Sequence, residues 1–221
     1  MKKIFTIVLL SLGFLNASAK HITGGEIIYD YISSTANSKT YRITLILFRD
    51  ENCINPCAEM PPNVYIGVFN NDNNQMVGGS AAFGGAIQVN RNSLQTLPLN
   101  AVPICITNPP SLNYTAGYYS FTIELPNNSN GYTAAYQTCC RIDNTNNINN
   151  MSDGAGATYT TSIPGLNRLG ASVPDNSPRF SKGISVVCRN NDFILDFSAT
   201  DPDGDVLVYS LCSAYNGGGA T

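Results

Sequence analysis

Tryptophan is absent from this 221-residue chain, histidine occurs once, and only 12% of the residues are charged. Each scarcity excludes something. With His21 as the single imidazole, no Ser–His or Cys–His dyad has a convincing base. Only four glutamates occur, Glu26, Glu51, Glu59 and Glu124, and of these Glu59 and Glu124 read as solvated loop or strand-face residues. The chain is therefore read as non-enzymatic. A net charge of −3 and a pI near 5.0 leave no electrostatic footprint for nucleic acid. The apolar run at residues 4–15 has 12 residues, short of the roughly 20 that a spanning helix needs. It follows the basic start Met1-Lys2-Lys3 and precedes Asn16-Ala17-Ser18-Ala19, which offers small residues at a cleavage site. That order predicts a secretory signal peptide over 1–19. The mature chain is expected to begin at Lys20, to be secreted or displayed at the cell surface, and to have no membrane span.

Asparagine fills the place of charge, at 27 positions, accompanied by Thr, Ser and Gly. It suits turns because it tolerates left-handed backbone and bonds its own turn. Twelve tyrosines and nine phenylalanines supply strand formers. No stretch offers more than a turn or two of good helix former, so the chain reads as all-β. Alternation predicts strands at 24–33, 40–49, 64–70, 114–125, 131–142 and 157–163. The second is apolar on both faces in its later half, as for a strand entering a core. Residues 126–130 (PNNSN) read as a hairpin loop between two long strands. Residues 78–85 (GGSAAFGG) read as too flexible for a regular element. The recurrence of turn signals favours a β-sandwich.

Pro164, Pro174 and Pro178 mark a boundary. The expected organisation is a signal peptide at 1–19, an immunoglobulin-like β-sandwich at 20–166 and a linker at 167–178. An incomplete second β-sandwich, cadherin-like or immunoglobulin-like, follows at 179–221, with strands at 184–188, 193–198 and 206–211. It is too short to bury a core alone, and the chain is expected to be the N-terminal part of a longer protein.

Seven cysteines in an exported chain are expected to pair, because the compartment is oxidising. Cys139 and Cys140 are neighbours on a strand and point to opposite faces, so they seek different partners. One is expected to join Cys105 and the other Cys53 or Cys57, while Cys188 and Cys212, flanking two successive strands, pair with each other. A zinc site at Cys53, Cys57, Cys139 and Cys140 is the competing reading, and oxidation favours disulfides over it. Asp201-Pro202-Asp203-Gly204-Asp205 has two readings. Asp201, Asp203 and Asp205 offer hard oxygen ligands of the kind Ca²⁺ takes, or the segment is a tight turn that uses Asp and Gly for their backbone angles.

Several stretches together resemble the amino-terminal region of large exported proteins of the Bacteroidota. They are His21-Ile22-Thr23-Gly24-Gly25-Glu26-Ile27, Tyr41-Arg42-Ile43-Thr44-Leu45, Phe48-Arg49-Asp50 and Tyr136-Gln137-Thr138-Cys139-Cys140-Arg141. Asn176-Ser177-Pro178-Arg179-Phe180, then 197–205 (FSATDPDGD) and 207–212 (LVYSLC), complete the set. Many such proteins are described as gliding motility-associated C-terminal domain proteins. The resemblance implies a multi-domain surface or secreted protein with tandem immunoglobulin-like or cadherin-like modules, exported by type IX secretion. Glu51-Asn52 stand where that family often has a cysteine directly.

The leading expectation is a structural or adhesin-like surface protein whose partners are other surface proteins or extracellular glycans. The alternative is a carbohydrate-binding module in which Tyr114, Tyr118 and Tyr119 form a stacking platform, although alternating tyrosines more often pack across strands.

Overall fold

A computed structural model describes residues 22–52, 59–100, 102–139, 155–170, 173–181, 183–215 and 217. The fold is all-β, two antiparallel sheets face to face. The first contains β1 (Ile22–Ser34), β2 (Ser38–Asp50), β6 (Ser93–Thr96) and β7 (Tyr114–Pro126), in the order β1-β2-β7-β6. The second contains β3 (Asn63–Asn70), β4 (Gln75–Met76), β5 (Ile87–Asn90), β8 (Tyr132–Thr138) and β9 (Ala157–Ile163). Its order is β4-β3-β8-β9, with β5 also paired to β3.

Alternation decides which side chains enter the core. On β2, Tyr41, Ile43, Leu45 and Leu47 are almost wholly buried and meet Ile66, Val68, Tyr119, Ala134 and Ile163 from the other strands. Ile46, on the opposite face of β2, is buried as well, and Thr44 beside it shares a 2.8 Å hydroxyl–hydroxyl bond with Ser120. The two-faced apolar half of this strand thus lies inside the protein on both sides.

Two local expectations are corrected. Residues 126–130 do not close a hairpin, because β7 and β8 belong to different sheets. The loop instead arches across the sandwich. The Asp72 carboxylate accepts from the Ser129 and Asn130 amides (3.0 and 2.9 Å), and Asn128 bonds both main-chain groups of Gly131 (2.8 Å each). Gly131 has φ +77°, and a Cβ there would stand 2.0 Å from the Ile163 carbonyl oxygen. The GGSAAFGG segment is ordered by a 3₁₀ turn, Ala81–Phe83. Ser80 caps it, and Gly84 at φ +62° ends it. The Ser80 amide donates to Ala86 and the Gly85 amide to Ser80, closing the loop at its base.

The third correction concerns the last forty residues. Among the described residues, 184–188, 193–198 and 206–211 form no regular strand. Only β10 (Arg179–Phe180) and β11 (Ala199–Thr200) pair, as a short ribbon, with a bridge between Leu99 and Ile184. Ile194, Val206, Val208 and Leu211 are at least 92% exposed. Their alternating pattern is that of strands, but a strand needs a neighbour for its hydrogen bonds and a facing layer for its side chains.

A candidate clasp at the edge of the first sheet

An edge strand presents a row of unpaired amides and carbonyls, which a folded chain covers or blunts. β1 is such an edge, and residues 175–179 cover part of it. The Ser177 amide donates to the Tyr29 carbonyl (3.0 Å), and the Tyr29 amide donates to Ser177 Oγ (2.9 Å). The Tyr31 amide donates to Asn176 Oδ1 (2.8 Å). Side chains thus take the positions that carbonyls of a fifth strand would occupy. The Arg179 guanidinium bonds the Tyr29 carbonyl (3.1 Å) and forms an ion pair with Asp30. Pro174 and Pro178 bracket this segment, hold it extended and remove amides that a regular strand would use.

The same residues reach the DPDGD turn. Both oxygens of Asp203 accept from Asn176, one from its amide at 2.6 Å and one from Nδ2 at 2.8 Å. Asp201 Oδ1 accepts from the amides of Asp203 (2.9 Å) and Asp205 (3.2 Å), and Gly204 sits at φ +82°. Asp201 and Asp203 therefore serve main-chain and amide donors, the chemistry of a capped turn. Among the described residues, no group of three His, Cys, Asp or Glu side chains converges as metal ligands. The arrangement around Asp201, Asp203 and Asp205 is that of a hydrogen-bonded turn.

Beneath the clasp lies a polar seam. The Tyr29 hydroxyl donates to the Asp175 carboxylate. Burial, and then this bond, push the Tyr29 pKa well above that of an ordinary phenol. Tyr41 is raised chiefly by burial, with the Asp175 charge adding to it. Asp175 is itself held above the usual carboxylate range. Partial burial is the main cause, Asp203, Asp205 and Asp201 repel its charge, and the Tyr29 bond opposes the shift. Lys39, 5% exposed, donates to the carbonyls of Gly170 (3.0 Å) and Val173 (3.1 Å), and burial lowers its pKa.

A second fastening stands apart from the first. Cys105 is joined to Cys188 by a disulfide with Cα atoms 6.4 Å apart. Nearby, the Asn100 amide donates to Ile184 O (2.8 Å) and the Ile184 amide to Pro98 O (2.9 Å). This corrects the expected pairing of Cys188 with Cys212 and of Cys105 with Cys139 or Cys140. The Leu99–Ile184 bridge brings residue 188 to the loop holding Cys105, and Cys212 is left as an exposed free thiol. Cys139 is disulfide-bonded, which removes it from a zinc thiolate set. Cys53, Cys57, Cys140 and His21 lie outside the described residues.

The tyrosines of β7 do not form one platform. Tyr119 is buried in the core with its hydroxyl on Pro61 O (2.6 Å), Tyr114 donates to Asp50 (3.3 Å), and Tyr118 faces the opposite side of the sheet from Tyr119.

Between β1 and β9, the outer strands of the two sheets, lies a groove of about 500 Å³, walled in part by Phe180, Leu207 and Tyr209. Sequence reasoning assigned no role to Asp175, Asn176, Ser177 or Arg179. The available signal was a short polar run between two prolines, with no apolar residue to bury and side chains able to imitate a backbone. No family model matches the chain, and neither a curated protein nor a solved structure does.

Proposed function

We propose that this protein is a non-enzymatic structural or adhesin-like protein of the cell exterior, its sandwich serving as a mount for the modules that follow. The observation that carries this reading is the clasp: Asn176, Ser177 and Arg179 seat the chain leaving the sandwich on the backbone of β1, and Asp175 holds the Tyr29 hydroxyl. The disulfide and the bridge at Ile184 seat it a second time. A chain that devotes polar side chains to fixing its own exit is suited to transmitting position and load. Inter-module joints without such fixation move freely by default.

Location outside the cytoplasm is supported by the signal-like start and by the disulfides, which persist in oxidising compartments. The resemblance to exported Bacteroidota proteins with gliding motility-associated C-terminal domains points the same way. Other surface proteins and extracellular glycans are the partners this reading implies. Protease treatment of intact cells that express the protein tests it. Loss of the protein without lysis is expected, and protection until the cells are broken would overturn it.

A further inference from the structure

The two sheets differ in charge. The first carries Glu26, Asp30, Lys39, Arg42, Arg49, Asp50 and Glu124 on its strands. The five strands of the second, NVYIGVFN, QM, IQVN, YTAAYQT and ATYTTSI, hold no Asp, Glu, Lys or Arg. Nor does the loop at 77–86 between β4 and β5. Surface strands ordinarily carry charge, both for solubility and to discourage unwanted pairing.

On the outer face of this neutral sheet stands a row of apolar side chains. Tyr65 is 45% exposed, Phe83 41% and Met76 40%. The rings of Tyr65 and Phe83 are 5.0 Å apart and tilted by 51°. Phe83 reaches Tyr65 because the glycine-rich loop folds back: a Cβ on Gly79 would stand 1.8 Å from Gly85 O, so this approach requires glycine. Phe69 continues the row, its ring lying across Gly67, where a Cβ would stand 2.8 Å from the ring. Gln88, opposite Tyr65, and Thr160, opposite Ala135, share this outer face and are exposed. They add an amide and a hydroxyl.

We infer that this face binds a neutral polysaccharide chain. Aromatic rings offer flat apolar surface to the C–H faces of sugar rings, and neutral amides and hydroxyls exchange hydrogen bonds with sugar hydroxyls. The charge pattern selects among occupants. A polyanion needs cations to replace its counterions, and these strands have none. A neutral polyhydroxylated chain needs no counter-charge and leaves no charged group desolvated. This inference does not depend on the clasp, and it places glycan contact on β3 and its loop, away from the tyrosines of β7.

The test is native affinity electrophoresis of the whole chain through gels containing hydroxyethylcellulose, glucomannan or xyloglucan, with alginate as the anionic comparison. Retardation by at least one neutral polymer and none by alginate is expected. Tyr65→Ala and Phe83→Ala should each weaken that association by about tenfold, the scale of one lost stacking contact, and Tyr65→Phe should retain it. Both rings are exposed, so unchanged melting of the variants shows that the fold is intact. Retardation by none of the three neutral polymers overturns the inference, as does retardation by alginate alone or equal retardation of the Tyr65→Ala, Phe83→Ala double variant. Self-association in light scattering that Tyr65→Ala abolishes would assign the face to a second copy of the chain instead, and would equally overturn it.

Discussion

Replacing Asp175 by Asn should stabilise the protein at neutral pH, although it removes a charged group that holds a hydrogen bond. The Tyr29 hydroxyl donates to this carboxylate, and the side-chain carbonyl of the Asp175→Asn variant accepts the same bond without charge. What the substitution removes is the cost of keeping a negative charge half-buried beside Asp203, Asp205 and Asp201, which together hold the Asp175 pKa above its ordinary value. The sign follows from linkage: a carboxyl raised in the folded state binds protons more tightly there than in the unfolded chain. Folding is then unpenalised below the unfolded value of about 3.9, and stability is lost as pH rises from there through the folded value. A tenfold difference in proton affinity between the folded and unfolded chain corresponds to about 1.4 kcal/mol. With solvent screening at a half-exposed group, the expected gain for Asp175→Asn is under about 1 kcal/mol. Urea unfolding of both proteins at pH 3.5, 5 and 7.5 reads it directly, because the difference between them cancels the other carboxylates. The two should coincide at pH 3.5 and separate in favour of the variant by pH 7.5. A variant less stable at pH 7.5 by about 1.5 kcal/mol or more, the scale of one hydrogen bond to a charged group, would refute the reasoning. It would mean that the Tyr29–carboxylate bond outweighs the repulsion, or that attraction to Lys39 does.

Other outcomes follow from the same geometry. Non-reducing peptide mapping should recover Cys105 linked to Cys188, and native alkylation should label Cys212. Cutting the link by Cys188→Ser should cost about 4.5 kcal/mol in the chain-entropy account, since the bridge closes a loop of 83 residues; a Cys188–Cys212 peptide would contradict the fold at this point. Millimolar Ca²⁺ should leave the melting temperature unchanged, while Gly204→Ala should cost about 1 kcal/mol because Gly204 sits at φ +82°. A calcium-dependent rise that Asp203→Asn abolishes would restore the metal reading.

Much of the sandwich was legible in the sequence because its information is local. The alternation in β2 placed the strand to within two residues and marked its second buried face, and 157–163 matched β9 at both ends. The connections were not legible, because they depend on distant partners. PNNSN serves an arch as well as a hairpin, and only the packing of β8 against β3 and β9 decides between them. The loop GGSAAFGG looked featureless because its order comes from close backbone approach at Gly79 rather than from side chains. Residues 206–211 carry a strand pattern that is real as sequence, but among the described residues no neighbouring strand receives it. The clasp was hidden for a different reason: Asn176 and Ser177 act through side chains that imitate main chain, and no periodicity records that.

Hydrogen exchange at the amides of Tyr29 and Tyr31 tests the clasp most directly. Both sit on the outer edge of β1, where an uncovered strand exchanges quickly, yet they donate to Ser177 Oγ and Asn176 Oδ1. The clasp predicts slow exchange at both positions, with Ser177→Ala releasing Tyr29 and Asn176→Ala releasing Tyr31, while amides of β2 stay protected. Fast exchange of Tyr29 and Tyr31 in the unaltered protein would contradict it.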